Sequence, residues 1–246
     1  MKRCHFLIAT IAAAIVGSAG LISPSRADDK KDDGWIQLFN GKDLTGWKIP
    51  NPPSGEFKGV KEVKNDDGKV TAYVGETKGG KEYTLWQVKD GMIVGGGPSS
   101  HLFTEIEADN FRYRVEAKIN DKGNSGQYFR TKFGPGFPNG YEAQINATHS
   151  DKIRTGSLYP STAGLRKYSD KICVMNTAPH KPDEFFTQEV IADGPNITII
   201  VNGKTTLDNW EDPNKTYTKG HFALQGHDPG SVMTFKKVEY KPIKQQ

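Results

Sequence analysis

Cysteine is almost absent from this sequence, which contains only Cys4 and Cys173 among its 246 residues. Cys4 precedes an apolar run, whereas a lipoprotein cysteine follows one. If the leader described below is removed, Cys173 is left alone and no intrachain disulfide can form. The fold must therefore depend on its hydrophobic core, and a chain of this length can bury a substantial one.

Long hydrophobic runs are missing beyond the first residues of the chain. Two basic residues precede an apolar stretch over residues 6–22, and Ser25 and Ala27 place small side chains at the −3 and −1 positions of a cleavage site. The stretch is short for a membrane-spanning helix, and polar sequence follows it directly. We therefore predict a signal peptide over residues 1–27, a charged spacer over residues 28–33, and export to the periplasm or the extracellular space. The mature chain is predicted to have no transmembrane segment.

Strong charge of one sign is also lacking. The formal net charge is only +4 at pH 7, and Lys2, Arg3 and Arg26 contribute to it from within the predicted leader. Nothing in the pattern indicates the clustered basic face of a nucleic-acid-binding protein. Phosphate-binding loops, the Gly-x-Ser-x-Gly nucleophile elbow and paired Cys-x-x-Cys motifs are absent as well. We predict no nucleic-acid partner and no cofactor.

Short runs of alternating apolar and polar residues fill most of the remaining chain, separated by Gly, Asn, Asp and Pro. Asp90–Gly91 and Asn202–Gly203 are strong signals for tight hairpins. Outside the leader, no segment shows the 3.6-residue apolar period of a helix. The pattern predicts an all-β sandwich or jelly roll. The predicted strands cover residues 35–39, 84–88, 92–94, 101–104, 111–119, 127–131, 141–146, 188–192, 196–201, 221–225 and 232–240.

Two stretches break this pattern. Residues 49–83 contain few large apolar side chains and many Pro, Gly, Lys, Asp and Glu residues. We interpret them as a long surface insertion that forms a loose hairpin around residues 70–74. Residues 147–184 are irregular too, and long ordered loops of this kind often carry function.

The segments 123–130 and 140–146 predict a polar patch on one face of a sheet. Because side chains alternate along a strand, Tyr128 and Arg130 are expected on one face, and so are Glu142, Gln144 and Asn146. A patch of Tyr, Arg, Glu, Gln and Asn suits a polyhydroxylated ligand such as a sugar. The residues predicted to bind the substrate are Tyr128, Gln144, Asn146, Tyr159, Gln225 and His101.

Glu142 is the first acid–base candidate, since it is the only carboxylate in its predicted strand and Arg130 is expected to hold it ionised. The alternative is that the two form only a salt bridge between strands. Glu116 is the second candidate, although its Arg and Lys neighbours are also typical of a solvated sheet face. His227 follows Gln225 at a strand end and can act as acid or base near neutral pH, or lie exposed in a loop.

A divalent cation is an alternative that the sequence supports less well. His101 and His149 have ligand potential, and Asn146, His149 and Asp151 follow the Glu142 strand closely enough to share one ion. Their spacing matches no established metal-binding signature. We therefore predict no metal site.

Several blocks of this sequence, in order, resemble the domain once called DUF1080 and now described as the 3-keto-disaccharide hydrolase domain. The resemblance covers residues 34–243. The blocks are WIQLFNGKDLTGW at 35–47, WQVKDGMI at 86–93, GNSGQYFR at 123–130, GYEAQI at 140–145, TGSLY at 155–159, GHFALQGH at 220–227 and the closing strand at 232–240.

The resemblance implies a concanavalin A-like jelly roll and a hydrolase acting on glycosides that another enzyme has already oxidised at C3. A ketone at C3 acidifies the C2 proton, a base removes that proton, and the enolate expels the C1 substituent before water adds. By resemblance, Glu142 or His227 acts as base or acid, and Arg130 and Gln144 stabilise the oxyanion or bind hydroxyls. Tyr128 and Tyr159 then form the wall of the site. The long 49–83 segment and the run at 184–187 depart from the usual pattern.

A non-catalytic glycan-binding module of the same fold is the alternative, because lectins and glycosidases share this architecture. A standard retaining glycosidase is a third interpretation. It requires two carboxylates about 5–5.5 Å apart, which only Glu142 and Glu116 could supply. A raised carboxyl pKa in a cleft favours an enzyme, whereas an aromatic platform without such a group favours a lectin.

Overall fold

The structure is a computed structural model that describes residues 33–244. The signal peptide predicted at residues 1–27 and all but the last residue of the predicted spacer lie outside the described residues. Within the described range, no helix is long and apolar enough to cross a membrane.

Strands account for most of the regular structure in residues 33–244, and the only helices described there are two single turns. The elements are β1 Ile36–Gln37, β2 Trp47–Lys48, β3 Phe57–Lys64, β4 Val70–Thr77, β5 Glu82–Lys89, β6 Met92–Gly95, β7 Ser100–Ala108, β8 Phe111–Ile119, β9 Asn124–Lys132, β10 Asn139–Asn146, α1 Ala163–Arg166, α2 Ser169–Ile172, β11 Phe186–Asp193, β12 Asn196–Val201, β13 Lys204–Glu211, β14 Gly220–Gly226 and β15 Met233–Pro242.

The strands form two sheets, which confirms the predicted all-β, concanavalin A-like jelly-roll sandwich. The larger sheet has ten strands in the order β13-β12-β11-β8-β15-β6-β5-β4-β3, with β1 paired to β15. The smaller sheet has five strands in the order β10-β9-β14-β7-β2. Neighbours in these sheets that are far apart in the chain, such as β8 and β15, are characteristic of jelly-roll connections.

The alternation seen in the sequence explains how the sheets pack. Along β8, side chains from Phe111 to Ile119 are alternately buried and partly exposed. The two hairpin signals are confirmed as well. Asp90 and Gly91 have φ values of 51° and 72° between β5 and β6, and Asn202 and Gly203 have φ values of 49° and 76° between β12 and β13. Positive φ at both central residues is what a type I′ turn requires.

Apolar side chains from both sheets form the core. Its largest members include Trp86, Tyr113, Phe129, Tyr141 and Phe235, all fully buried. Polar contacts cross this core as well. Gln188 Nε2 on β11 donates to Gln127 Oε1 on β9 at 3.2 Å, and Gln127 Nε2 donates to the Tyr113 carbonyl oxygen at 3.0 Å.

The hairpin within residues 49–83 is not the loose surface feature that the sequence suggested. Two full strands, β3 and β4, lie in this segment and extend the large sheet. Phe57 and Tyr73 are buried in the core, and Tyr73 Oη donates to the Trp47 carbonyl oxygen at 3.0 Å. Sequence reasoning missed these strands because most side chains of β3, at the sheet edge, face solvent and are therefore polar.

Candidate functional site

The smaller sheet presents a polar surface on its outer face, meaning the face that points away from the large sheet. On β10, Tyr141, Ala143 and Ile145 enter the core, so the alternating residues Glu142, Gln144 and Asn146 lie on the outer face. Their Cα partners on β9 are Tyr128, Gly126 and Asn124 respectively. The structure therefore brings four of the predicted site residues together: Tyr128, Glu142, Gln144 and Asn146.

Glu142 is the central group of this face. Its side chain is only 2% exposed, and Tyr128 Oη donates to Glu142 Oε2 at 2.6 Å. Gln225 Nε2 on β14 donates in turn to Tyr128 Oη at 3.2 Å. Burial raises the pKa of Glu142 to about 8, the Tyr128 hydrogen bond opposes that shift, and the negative charge of Asp151 adds to it. Burial likewise raises the pKa of Tyr128 well above its usual range, so the phenol stays protonated.

Gly126 leaves room for the Glu142 carboxylate. A Cβ atom at position 126 would lie 2.4 Å from Glu142 Oε1 and 2.8 Å from Glu142 Cγ. Real Cβ contacts do not come that close. The carboxyl group therefore lies directly over the glycine, on the strand beside its own.

Several polar atoms of the outer face are buried without a hydrogen-bond partner among the described residues. They are Gln144 Nε2, Gln225 Oε1, Asn124 Oδ1 and both ring nitrogens of His101. Buried polar groups are nearly always paired in folded proteins. Their concentration around Glu142 indicates a surface that is completed by a hydrogen-bonding ligand or by water.

Aromatic rings form the floor beside these amides. His101 lies with its ring centroid 6.0 Å from that of Tyr128 and 6.4 Å from that of Phe103. Burial, and secondarily the nearby His227, lower the pKa of His101 to about 3. His101 is therefore a neutral part of the floor at neutral pH.

The covering loop, which we define as residues 133–138 between β9 and β10, folds over this floor. Phe133 packs on Phe103 with centroids 5.2 Å apart, and Phe137 packs edge-on against Tyr128 at 6.2 Å. Phe137 is nevertheless 58% exposed. Next to it is a cavity of about 340 Å³ lined by Phe137, Tyr159, Pro160, Ser161 and Arg166.

Tyr159 connects this cavity to Glu142. Its backbone N–H donates to the Glu142 carbonyl oxygen at 2.8 Å, and its hydroxyl donates to Asp151 Oδ2 at 3.1 Å. The predicted role of Tyr159 as a wall of the site is compatible with this position.

Histidines occupy the other end of the outer face. His227 Nδ1 lies 2.7 Å from Asp228 Oδ2, and its Nε2 lies 3.3 Å from Asn124 Nδ2. The His149 ring is 5.4 Å from that of His227, centroid to centroid. Among the described residues, His149, His227 and Asp228 form the one group of His, Cys, Asp and Glu side chains whose ligand atoms all lie within 4.8 Å of one another.

Asn146 does not belong to that group, although the sequence suggested a cation shared by Asn146, His149 and Asp151. Asn146 Nδ2 donates to the carbonyl oxygens of Asp151 and Ile153, and its Oδ1 accepts the His149 N–H. These bonds occupy the amide and shape the loop that follows β10. Asn146 therefore has a structural role.

The prediction that Arg130 lies beside Glu142 is wrong. Arg130 adopts a φ of 49°, which breaks the side-chain alternation of β9. Its guanidinium donates instead to the carbonyl oxygens of Asp109, Gly194 and Tyr217 at 2.7, 2.7 and 3.2 Å. A cavity of about 320 Å³ adjoins the Arg130 guanidinium. The bonds to the carbonyl oxygens nevertheless occupy most of the Arg130 donors. Arg130 is thus a structural residue that ties loops together.

Glu116 also lies away from the site. It belongs to β8 of the large sheet and pairs with Lys236 Nζ at 3.0 Å, whereas Glu142 belongs to the small sheet. The two carboxylates do not face each other across a cleft, so the retaining-glycosidase arrangement is not assembled.

Four residues of this face escaped the sequence reasoning: Asn124, Gly126, Phe137 and Asp228. Two signals could have found some of them. The paired phenylalanines of the covering loop, in the run FGPGF at 133–137, are unusually apolar for a turn. Asp228 directly follows a candidate histidine and could have been considered as its partner.

The whole described domain matches one protein family. The family described as "3-keto-alpha-glucoside-1,2-lyase-like domain" matches residues 34–244. No curated protein has a matching sequence.

Solved structures with a similar fold are more distant. A protein from Parabacteroides distasonis, described as a candidate glycosyl hydrolase, is 22% identical over 88% of this chain and 97% of its own, with a TM-score of 0.62. A second from the same organism is 19% identical over 85% and 99%, with a TM-score of 0.55. The carbohydrate-binding module CBM66 from Bacillus subtilis is 14% identical over 80% and 95%, with a TM-score of 0.43. The likeness to the two Parabacteroides distasonis proteins shows the fold alone.

Proposed function

Because this chain belongs to the family of 3-keto-alpha-glucoside-1,2-lyase-like domains, we propose that it cleaves glycosides that carry a ketone at C3. The substrate is a carbohydrate, and a sugar-oxidising reaction must act first to supply the ketone. The predicted leader makes the protein an exported one, so we place this reaction in the periplasm or outside the cell.

The proposed reaction begins with the C2–H bond, which the neighbouring C3 carbonyl acidifies. Glu142 takes the proton, and the electron pair of the C2–H bond forms the enolate. The enolate then expels the C1 substituent, so the C1–O bond breaks and a C1=C2 double bond conjugated with the ketone is formed. Protonated Glu142 can return its proton to the leaving oxygen, because C1 and C2 are adjacent. Addition of water across the double bond gives net hydrolysis.

The buried Glu142 carries this proposal. A general base is most effective when its pKa is near the working pH, and burial brings the pKa of Glu142 to about 8. Tyr128 holds one carboxyl oxygen in place at 2.6 Å. A buried carboxyl group with a raised pKa beside a polar cleft favours an enzyme over a sugar-binding module.

Amides and aromatic rings around Glu142 supply the substrate contacts. Gln144 Nε2 and Gln225 Oε1 are buried and lack partners among the described residues. Gln144 Nε2 can therefore donate to a hydroxyl or to the C3 oxygen, and Gln225 Oε1 can accept from a hydroxyl. Phe137 and Tyr159 line the neighbouring cavity, where the leaving group would pack against the rings.

The test is cleavage of a 3-keto aryl glucoside and of its unoxidised parent by the wild type, Glu142→Gln and the matched control Glu116→Gln. We expect release from the keto form only, a loss of at least about 10²-fold for Glu142→Gln, and near wild-type rates for Glu116→Gln. Because the base must be ionised, kcat/KM of the wild type should rise with pH up to about pH 8 and then level off.

Two results would overturn the proposal. Release from the unoxidised parent at a similar rate would mean that the C3 ketone plays no part. No release from either compound, together with saturable binding seen by calorimetry, would identify a glycan-binding module instead.

A further inference from the structure

The proposed reaction develops negative charge on the C3 oxygen, and stabilising such an oxyanion needs positive charge or strong donors. The sequence suggested Arg130 for that role, but its guanidinium is bound to carbonyl oxygens elsewhere. The side-chain donors described around Glu142 belong to the neutral residues Tyr128, Gln144 and Gln225. The nearest group that could stabilise this charge is therefore the cluster around His149 and His227.

His227 is held so that one ring nitrogen is available. Asp228 Oδ2 lies 2.7 Å from His227 Nδ1 and accepts a hydrogen bond from that ring N–H. The same carboxylate also accepts the Ser231 hydroxyl at 2.7 Å and the Gly230 N–H at 2.8 Å. A carboxylate that binds one nitrogen of an imidazole, leaving the other as a ligand, is the usual outer support of a metal-binding histidine. Nε2 of His227 is thereby directed away from Asp228.

Asn124 lies between the two rings. Its Nδ2 is 3.3 Å from His227 Nε2 and 3.5 Å from His149 Nδ1, both at the outer limit of hydrogen bonding. Asn124 is only 3% exposed, and its Oδ1 lacks a partner among the described residues. Rotating the amide by half a turn exchanges its two ends and places Oδ1 between the two imidazoles.

We propose that His149, His227 and Asn124 bind a divalent transition-metal ion of the zinc or cobalt class, with Asp228 orienting His227. Two imidazoles and a carboxamide oxygen suit such an ion better than Mg²⁺ or Ca²⁺, which prefer ligand sets made of oxygen. The three protein ligands leave a coordination position open, as catalytic metal sites do. His149 Nδ1 also accepts the Asp151 N–H at 3.1 Å, a hydrogen bond that an ion at this nitrogen has to displace.

The role of this ion rests on the proposed function. The Glu142 carboxylate lies over Gly126. Gly126 and Asn124 are two residues apart on β9, so their Cα atoms are about 7 Å apart. One sugar ring can reach from one position to the other. The C2 proton could then face Glu142 while the C3 oxygen faces the ion, which would supply the charge that Arg130 does not.

The experiment measures binding directly, with the full chain stripped of metal by a chelator. Co²⁺ is titrated in while the visible absorption of the ion is recorded, with Mg²⁺ and Ca²⁺ as comparison ions. We expect one Co²⁺ per chain and no comparable response to Mg²⁺ or Ca²⁺. His149→Ala and His227→Ala should each weaken binding at least 100-fold, and Asp228→Asn should weaken it about 10- to 100-fold. His221→Gln, on the same face but outside the cluster, should bind like the wild type.

Circular dichroism establishes that each variant is folded. The proposed metal site is rejected if the wild type does not bind Co²⁺. It is also rejected if binding is unchanged in both His149→Ala and His227→Ala. The proposed function fails separately, because cleavage of the 3-keto glucoside is measured on the same samples. If metal-free protein still cleaves the substrate, the ion has no part in the reaction and the proposed function stands. If Co²⁺ binds but no sample cleaves the substrate, the metal site stands and the proposed function is rejected.

Discussion

The environment of Glu142 favours its neutral form, so the free energy of unfolding should depend on pH. Burial raises its pKa from 4.5 to about 8 in the folded state. Between those two values the folded chain binds more protons than the unfolded chain, so the free energy of unfolding falls as pH rises. Below the unfolded pKa this penalty is absent.

We therefore expect Glu142→Gln to be more stable than the wild type at pH 8, by on the order of a few kcal/mol, and nearly equal to it at pH 4.5. Urea unfolding of both proteins at several pH values measures the difference. A gap that does not grow with pH would contradict the raised pKa of Glu142.

Gly126 is the residue that allows Glu142 its position. Gly126→Ala places a methyl group where the carboxylate lies, so the carboxyl group must move away from its productive place. A displacement of about 1 Å in a reacting group can cost roughly 10²-fold in rate. We expect that loss in kcat/KM for the 3-keto substrate.

Gly55→Ala is the matched control, because no heavy atom lies within 4 Å of a Cβ added there. It should leave the rate unchanged. Equal effects of the two substitutions would show that a generic glycine effect, and not the clash with Glu142, is responsible.

Residue-level prediction from the sequence succeeded where strands alternate regularly and failed at one dihedral angle. Tyr128, Glu142 and Gln144 share a face as predicted, because alternation holds through both strands up to Phe129. Arg130 departs from it, since its φ of 49° is uncommon for a residue other than glycine and nothing in the sequence indicates it.

At the scale of elements, turn chemistry was the most informative signal. Asp90–Gly91 and Asn202–Gly203 each predict a hairpin, and both hairpins form. Strands β3 and β4 were missed because composition, rather than periodicity, dominated the interpretation of residues 49–83. Helices α1 and α2 are too short for a 3.6-residue period to be visible.

The covering loop is the element with the clearest predicted effect on the substrate. Phe137 is 58% exposed yet packs on Tyr128, so it can contact a sugar in the adjoining cavity without supporting the core. Phe137→Ala should raise KM for the 3-keto substrate about 10-fold, through lost stacking, and change the free energy of unfolding by less than about 1 kcal/mol.

Phe185→Ala provides the comparison, since Phe185 is 41% exposed and packs against lysines rather than against the site. Its KM should equal that of the wild type. A KM effect of similar size at both positions would remove the covering loop from substrate binding.

At the scale of the whole molecule, a polar bridge joins the two sheets through the apolar core. Gln127 and Gln188 are fully buried, and each depends on the other for a hydrogen bond. Gln127→Met leaves Gln188 and the Tyr113 carbonyl oxygen without that partner, so we expect a loss of about 1–3 kcal/mol.

The double variant Gln127→Met/Gln188→Met should lose less than the sum of the two single variants, because the penalty of an unpaired amide is then removed. Urea unfolding of the four proteins gives the coupling energy. Strict additivity would show that the bridge between the sheets contributes no specific stability.

The close approach of Glu142 to Gly126 also constrains how this family can diverge. The two positions share one volume, so a substitution at one restricts the residues that the other accepts. A relative with alanine at position 126 should carry a shorter side chain at position 142, such as aspartate, and would then have to move its substrate to meet it. Covariation of these two positions across relatives should therefore mark lineages in which the reaction has been repositioned or lost.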